Sequence, residues 1–249
     1  MRGDADEAHI LELRDWSEAA QACIHEAFRE ARARGHPHVG VPHLLHSLRK
    51  EAQVARCLAG MRLDLIVLGR AIEQALLAAP SEWTANPSAN ERLLAVINGA
   101  VERGRSAKVA AISSGDLLLA IAEHDPQAQA LLQTTGYSHS ILLSLLAHGS
   151  EAPPAPDAKL PAGDTLEVVV HNDDYTPQDL VVAIFVDELN LDPARAHALM
   201  LEVHTTGQAT VLSLPREQAI ERARRASQRA RAAGAPLRIT LRAAAEARS

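Results

Sequence analysis

Apolar residues recur at intervals of three and four along roughly the first 150 residues, which is the spacing of one face of an α-helix. Ser17 stands before the first of these segments and predicts a capped helix that continues to about Arg34. Its apolar positions are Ala20, Cys23, Ile24, Ala27, Phe28 and Ala31. Gly35-His36-Pro37 interrupts the pattern, and Pro42 suits the first turn of a second helix that begins at Val41. Two shorter helices are predicted after it, at about Gln53–Ala59 and Leu63–Leu77.

The same pattern returns 73 residues further along the chain. Ile24–Leu48 aligns with Ile97–Ile121 without a gap, and the pairs that are apolar in both segments lie at helical spacing. The clearest pairs are Ala27 with Ala100, Val39 with Ile112, Leu44 with Leu117 and Leu45 with Leu118. Self-similarity at a fixed spacing is the signature of a duplicated structural unit. We therefore predict two four-helix repeats, at about residues 15–78 and 90–148, which pack into one all-α domain because each alone would be small.

Three segments fall outside the regular patterns. Residues 1–14 are expected to form an acidic tail, and residues 244–249 a second tail. The proline-rich residues 149–164 predict an extended, semi-rigid linker between two domains.

The C-terminal third changes from a helical pattern to a mixed one. A short apolar run, Leu166–Val170, predicts a strand, and Pro177–Asn190 predicts a helix. Asp192 is suited to cap a second helix. The remaining predicted elements are a strand at Ala209–Leu214, a helix at Pro215–Ala233 and a strand at Pro236–Arg242. Residues 165–243 are therefore expected to form a small α+β domain with the order strand, helix, helix, strand, helix, strand. The fold class is multidomain, with this domain after the duplicated helical one.

Composition and charge exclude several classes of function. The formal net charge is −6, with basic and acidic residues mixed along the chain, so no basic surface for nucleic acid is predicted. No apolar run approaches ~20 residues, and the acidic N-terminus lacks the pattern of a secretory signal. The two cysteines, Cys23 and Cys57, lie on apolar-periodic stretches and are expected to be buried, reduced thiols. These features predict a cytoplasmic protein that binds neither nucleic acid nor membrane.

Histidines in the first repeat raise the question of a metal site. They are His36, His38, His43 and His46. His43 and His46 are three residues apart and share a helix face. No Asp, Glu or Cys stands among them, however, and the second repeat carries none of these histidines. A metal site is therefore not predicted, and no cofactor is expected.

The stretch Asn172-Asp173-Asp174-Tyr175-Thr176-Pro177 has a simple structural interpretation and a functional one. Asn, Asp and Thr side chains bond to nearby backbone, so this sequence is typical of a turn that caps a helix. Two further blocks follow it in register: Met200-Leu201-Glu202-Val203-His204, then Gly207, and later Pro236-Leu237-Arg238-Ile239-Thr240-Leu241. With these three blocks, Thr165 to Ala243 resembles the ClpS adaptor family, whose order of elements is the one predicted here.

The duplicated half resembles the Clp amino-terminal domain, the docking domain in front of the AAA+ rings of Clp unfoldases. The resemblance rests on the helix–loop–Leu-Leu pattern of Ala27–Leu48 and its copy at Ala100–Ile121. It covers roughly Asp15 to His148. The sequence contains no Gly-x-x-x-x-Gly-Lys-Ser/Thr phosphate loop, so no ATPase module is expected with it.

The ClpS resemblance implies a pocket for the first residue of a protein whose N-terminus is bulky and hydrophobic. Asn172, Asp173 and His204 stand at the family's positions for binding the terminal amine. The positions that match the family's hydrophobic pocket and its rim are Asp174, Thr176, Gln178, Val181, Met200, Val203 and Leu237. From the pattern alone, Val181, Val203 and Leu237 would be ordinary core residues and His204 a helix-end histidine.

Gln178 departs from the methionine that family members often carry at the pocket rim, where it crowds β-branched side chains. The resemblance therefore implies that hydrophobic N-termini bind, and it gives weaker support to a preference for one hydrophobic residue over another. Glu217 and Arg222 match positions that contact the unfoldase, and their alternative interpretation is a solvated helix face.

These features predict a non-enzymatic adaptor with no catalytic residues, which delivers proteins with hydrophobic N-terminal residues to a Clp AAA+ unfoldase. The alternative is a regulatory interaction protein that binds Clp unfoldases or adaptors without a working pocket. A histidine-rich metalloenzyme is the third and weakest reading. Docking of the two halves on each other, within one chain or between two copies, stays open at this point.

Overall fold

The computed structural model describes residues 2–12, 16–82, 84–107, 109–149 and 161–244. They form two compact units, Met1–Leu142 and Leu143–Ser249. The prediction of helical repeats followed by a small α+β domain is confirmed. Most of the predicted linker, and the predicted C-terminal tail beyond Ala244, lie outside the described residues. No helix in the described ranges is long and apolar enough to cross a membrane.

The helical part of the chain contains two sets of four helices in the same order, and the last helix continues past Leu142, where the first unit ends. The first set is α2 (Glu18–Arg34), α3 (Val41–Leu48), α4 (Ala52–Gly60) and α5 (Leu65–Leu77). The second is α6 (Glu91–Ala107), α7 (Ser114–His124), α8 (Pro126–Thr134) and α9 (His139–His148). Helices α2 and α6 are both 17 residues long and begin 73 residues apart, as the sequence repeat requires. Both sets contribute large, fully buried side chains, among them Phe28, Leu44, Leu48, Ile97, Leu117 and Leu118.

Backbone hydrogen bonds join the two sets reciprocally. The Asn90 amide donates to the Val39 carbonyl at 2.9 Å, and the Ser17 amide donates to the Ile112 carbonyl at 2.9 Å. Each donor residue also caps the helix that follows it. Ser17 Oγ accepts the Ala20 amide, and Asn90 Oδ1 accepts the Leu93 amide. The two donors, Ser17 and Asn90, are 73 residues apart, and so are the two acceptors, Val39 and Ile112, so each set completes the start of the other.

Two features of this unit differ from the expectations. Residues 1–14 were expected to be a tail, but Arg2–Glu12 forms a helix, α1, whose Ile10 is completely buried. A helix this short gains most of its stability from packing, which local sequence does not reveal. The parallel strands β1 (His38–Val39) and β2 (Ser88–Ala89) were also not predicted, because two residues are too few to show a strand pattern.

The second unit is a three-stranded antiparallel sheet covered by helices. Its elements are β3 (Thr165–His171), α10 (Gln178–Asp187), α11 (Pro193–Thr206), β4 (Gln208–Pro215), α12 (Arg216–Ala232) and β5 (Arg238–Ala243). The strand order is β4-β3-β5. Helix α12 packs against all three strands, while α11 packs on β4 and α10 on α11 and α12. The alternate residues Leu166, Val168 and Val170 of β3 join Ile184 and Phe185 of α10 in one core.

Most boundaries in this unit shift by one to three residues from the predicted ones. Pro177 is the residue before α10 rather than its first residue. Leu237 lies just before β5 and is buried. The order of elements is the predicted one.

Candidate functional site

The acidic turn after β3 is tied to the C-terminus of α11. The Asn172 amide donates to the Gly207 carbonyl at 2.8 Å. Gly207 ends α11 in the left-handed conformation, with φ at 84°, and its own amide donates to the Val203 carbonyl at 3.0 Å. The last turn of α11, which carries Val203 and His204, is thereby held beside the turn that carries Asn172 and Asp173.

Asp173 is the residue that shapes this turn. Its Oδ1 accepts the amides of Tyr175 at 2.9 Å and Thr176 at 2.6 Å, and its Oδ2 accepts the Thr176 hydroxyl at 2.8 Å. The turn expected from sequence is therefore formed, with a half-buried carboxylate at its centre. An ionised carboxylate offers about four lone pairs, so these three bonds leave it able to accept another donor.

The two other residues proposed for amine binding have side-chain polar groups that are available to a ligand. Asn172 is half-buried, and His204 is exposed in the last turn of α11. Neither side chain forms a hydrogen bond to any residue that the structure describes. An amide oxygen and a neutral imidazole nitrogen are both hydrogen-bond acceptors. The acidic turn and the last turn of α11 therefore each carry a side chain that can accept a hydrogen bond.

Four of the predicted pocket residues come together in the core of this unit. Val181 of α10, Met200 and Val203 of α11, and Leu237 before β5 are all buried in one apolar cluster. Thr176 and Gln178, at the entrance to α10, are half-buried. Asp174 is exposed, so it lies on the solvent side of the turn rather than among the apolar residues.

The predicted docking residues lie on α12, in different surroundings. Glu217 is exposed in the first turn. Arg222 is half-buried and its Nη1 donates to the Leu189 carbonyl at 2.7 Å, so it closes the end of the α10 segment. Sequence reasoning missed this structural bond, because nothing local marks a partner so far away along the chain. It also missed the hydrogen bond between Asn172 and Gly207, although a glycine directly after a helix is a signal for a left-handed cap.

The four histidines considered for a metal site do not converge on one point. His36 Nδ1 lies 2.9 Å from His43 Nε2, and His38 Nδ1 lies 2.8 Å from Ser88 Oγ. His46 lies 3.1 Å from a Glu73 carboxylate oxygen. Among the residues described, no three His, Cys, Asp or Glu side chains converge on a point where a metal ion could bind.

Comparison with known families covers both units. The family model described as ATP-dependent Clp protease adaptor protein ClpS matches residues 162–240. The family model described as Clp repeat (R) N-terminal domain matches residues 15–135.

Two relatives from the curated proteins agree with the ClpS match. The ATP-dependent Clp protease adapter protein ClpS of Hydrogenovibrio crunogenus is 40% identical over 75 residues, which are 30% of this chain and 72% of that protein. The ClpS of Alkalilimnicola ehrlichii is 35% identical over 98 residues, which are 39% of this chain and 91% of that protein. A solved structure of Agrobacterium tumefaciens ClpS2 bound to L-phenylalaninamide is 27% identical, covers 32% of this chain and 98% of its own, and has a TM-score of 0.31.

Proposed function

The chain belongs to the ClpS family of ATP-dependent Clp protease adaptors, and from this premise we propose that it recognises proteins by a bulky hydrophobic N-terminal residue and delivers them to a Clp unfoldase. One observation carries the proposal most directly. The hydrogen bond from Asn172 to Gly207 holds the acidic turn beside the end of α11, where Val203, the residue before His204, belongs to the apolar cluster.

The acceptors suit a free N-terminus. An α-amino group has a pKa of about 7.7–8.0 and is mostly an ammonium at pH 7. In our proposal the Asn172 amide oxygen, the remaining capacity of the Asp173 carboxylate and a neutral His204 nitrogen accept its protons. A bond to a charged group is worth about 1.5–3 kcal/mol. An internal peptide group offers no ammonium, so this arrangement selects chain termini.

The apolar cluster suits the first side chain. Val181, Met200, Val203 and Leu237 would surround it, and Thr176 would stand near its base. Burial of a leucine-sized side chain contributes about 1.5–3 kcal/mol. The adaptor needs no catalytic group for this task, since binding and transfer involve no covalent chemistry. The buried, free thiols of Cys23 and Cys57 support action in the reducing cytoplasm.

Gln178 sets the specificity at the rim in this proposal. It is the first residue of α10 and is half-buried. A glutamine crowds the entrance less adaptably than a methionine, so Ile- and Val-initiated peptides should bind almost as well as Leu-initiated ones. Discrimination at the level of one methylene is worth only about 1–3 kcal/mol. Gln178→Met should restore a preference for leucine, and strong rejection of isoleucine by the natural chain would contradict this role.

Glu217 is the better candidate of the two docking residues, because it is exposed whereas Arg222 bonds to Leu189. Glu217→Lys should weaken binding to a Clp unfoldase while leaving peptide binding unchanged. Gln218→Lys, at an exposed neighbour, controls for the introduction of a lysine at this end of the helix.

A titration with labelled peptides that differ only at their first residue tests the proposed function. Leu- and Phe-initiated peptides should bind the full chain, and N-acetylation of the same peptides should weaken binding at least tenfold. Serine-initiated peptides should bind no better than the acetylated ones. Equal binding of free and acetylated peptides, or no binding of either, would contradict the proposal and favour a regulatory interaction protein without a working pocket.

A further inference from the structure

Helix α1 lies outside the residues that match the Clp repeat family, yet it packs on both repeats. The family match begins at residue 15, whereas α1 spans Arg2–Glu12. It contacts α2 in the first repeat and β2 at the start of the second. The helix therefore covers a surface that the repeats themselves build.

That surface is an apolar groove, and Ile10 fills it. Ile10 is 0% exposed. The side chains around it come from α2 and α3 of the first repeat and from α6 of the second. They are Ile24, Ala27, Phe28, Leu44, Leu93 and Ile97. Removal of α1 would expose aliphatic and aromatic carbon at the junction of the two repeats.

The rim of the groove recognises acidic groups. Glu7 places one carboxylate oxygen 2.7 Å from His25 Nδ1 and the other 2.7 Å from Arg32 Nη2, with only 12% of its side chain exposed. The Asp6 carboxylate accepts the Ala89 amide at 3.1 Å. Glu7 and Ile10 are three residues apart, so they share one face of the helix. The groove thus binds a carboxylate that is followed three residues later by an aliphatic side chain.

Apolar burial makes only a small contribution to the attachment of α1. Among the side chains of α1 that the structure describes, Ile10 alone is fully buried. An isolated helix of this length is marginal in water, so α1 keeps its form only while it is docked. Segments with few buried contacts open locally without global unfolding.

We propose that this groove is a docking site for an acidic helix of a partner protein with an aliphatic anchor, and that α1 occupies it as a built-in competitor. Charge complementarity at Arg32 and His25, together with the apolar floor, defines the ligand. A partner that binds only the open form has its affinity reduced by the fraction of time that α1 is docked. Weakening α1 therefore strengthens the partner's binding without any change in the groove.

The test uses the full chain and an acetylated, fluorescent peptide with the sequence of residues 2–12. Acetylation prevents binding at a site for free N-termini, so this experiment and the one for the proposed function fail independently. The peptide should bind the Ile10→Asp chain at least tenfold more tightly than the natural chain. A peptide that itself carries Ile10→Asp is the control and should bind neither.

A charge exchange distinguishes recognition from a general loosening of the domain. A peptide with Glu7→Arg should lose at least tenfold in affinity for the Ile10→Asp chain. It should regain most of that loss with the Ile10→Asp, Arg32→Glu chain. Absence of recovery would show that the groove does not read the carboxylate and would overturn the proposal.

Two further measurements begin with the natural chain. Amide hydrogens of α1 should exchange at least tenfold faster than those of α2, and equal protection would mean that α1 does not open locally. Sedimentation should show a monomer. A dimer that disappears in the Ile10→Asp chain would assign the groove to a second copy of this chain and contradict a partner protein as its ligand.

Discussion

At the scale of single residues, Asp173 shows how one carboxylate can shape a turn and still accept a ligand. Its bonds to Tyr175 and Thr176 are local, and sequence predicts them because Asp is typical of such turns. The bond of Arg222 to Leu189 and the pairing of His36 with His43 are not local. Sequence does not predict them, since they depend on how distant elements pack.

Asp173→Asn separates the two roles of this residue. Asparagine keeps an oxygen for the amides of Tyr175 and Thr176 but removes the negative charge. Binding of a Leu-initiated peptide should weaken by at least about 1.5 kcal/mol, the lower value for a bond to a charged group. Fluorescence anisotropy measures the affinity, and the free energy of unfolding should change little. Unchanged affinity would remove Asp173 from the amine site.

The buried pair His43 and His36 predicts a dependence of stability on pH. Burial, helped by neighbouring His36, lowers the pKa of His43 from 6.5 to about 4. Arg34 contributes in the same direction, and Glu30 opposes it. His43 Nδ1 accepts the Gly40 amide, so the fold holds the neutral ring with its proton on Nε2. Because the folded-state pKa is depressed, this stabilisation is complete above pH 6.5 and is lost as pH falls toward 4.

The helical unit should therefore lose up to about 3 kcal/mol between pH 6.5 and 4 from this group. His43→Gln keeps an acceptor for the Gly40 amide, as glutamine does at this position of a capping box, but it does not titrate. Urea unfolding at several pH values should show a shallower loss for this variant. An equally steep loss would mean that other groups cause the acid sensitivity.

At the scale of elements, the helices were predicted well because their signals are local. Ser17, Asp125 and Asp192 each accept an amide in the first turn of the following helix, as capping residues do. Strands β1 and β2 were missed, since their two-residue pairing depends on contacts 50 residues apart along the chain. The candidate site was predicted through a family resemblance, because its acceptors come from the end of one strand and the end of one helix.

Gly207 connects these two elements, and Gly207→Ala tests the connection. The residue has a φ of 84°, and an added Cβ would meet no atom within 4 Å, so the cost is conformational rather than steric. The C-terminal unit should lose about 1–2 kcal/mol of stability. Peptide binding should weaken as well, because the Gly207 carbonyl holds Asn172 in place.

Gly234→Ala is the matched control for this variant. Gly234 also has a positive φ, 71°, and open space around an added Cβ. It should cost similar stability in thermal unfolding and leave peptide affinity unchanged. If both variants weaken binding equally, the effect comes from stability and not from the tie to Asn172.

At the scale of the whole molecule, the sequence contains two phenylalanines, and each unit buries one of them completely. The 73-residue repeat made the helical unit predictable despite its ordinary Ala/Leu composition, because paired positions support each other. Helix α1 precedes the repeated residues, so the repeat offers no evidence for it.

Phe28→Ala and Phe185→Ala should each destabilise one unit. Truncation of a buried phenylalanine costs about 3–5 kcal/mol. Hydrogen exchange resolved by segment should show faster exchange within residues 16–142 for the first variant and within 161–244 for the second. Only the second should also lose binding of Leu-initiated peptides. Loss of protection in both units from either substitution would show that they unfold as one.

The reciprocal bonds between the repeats have a consequence for synthesis on the ribosome. The chain emerges from its N-terminus, and domains generally begin to fold as soon as they are complete. Ser17 opens the first repeat, but the carbonyl that its amide needs belongs to Ile112. The nascent first repeat therefore lacks this partner, and keeps uncovered the apolar side chains that the second repeat buries, until the corresponding loop of the second repeat has left the exit tunnel.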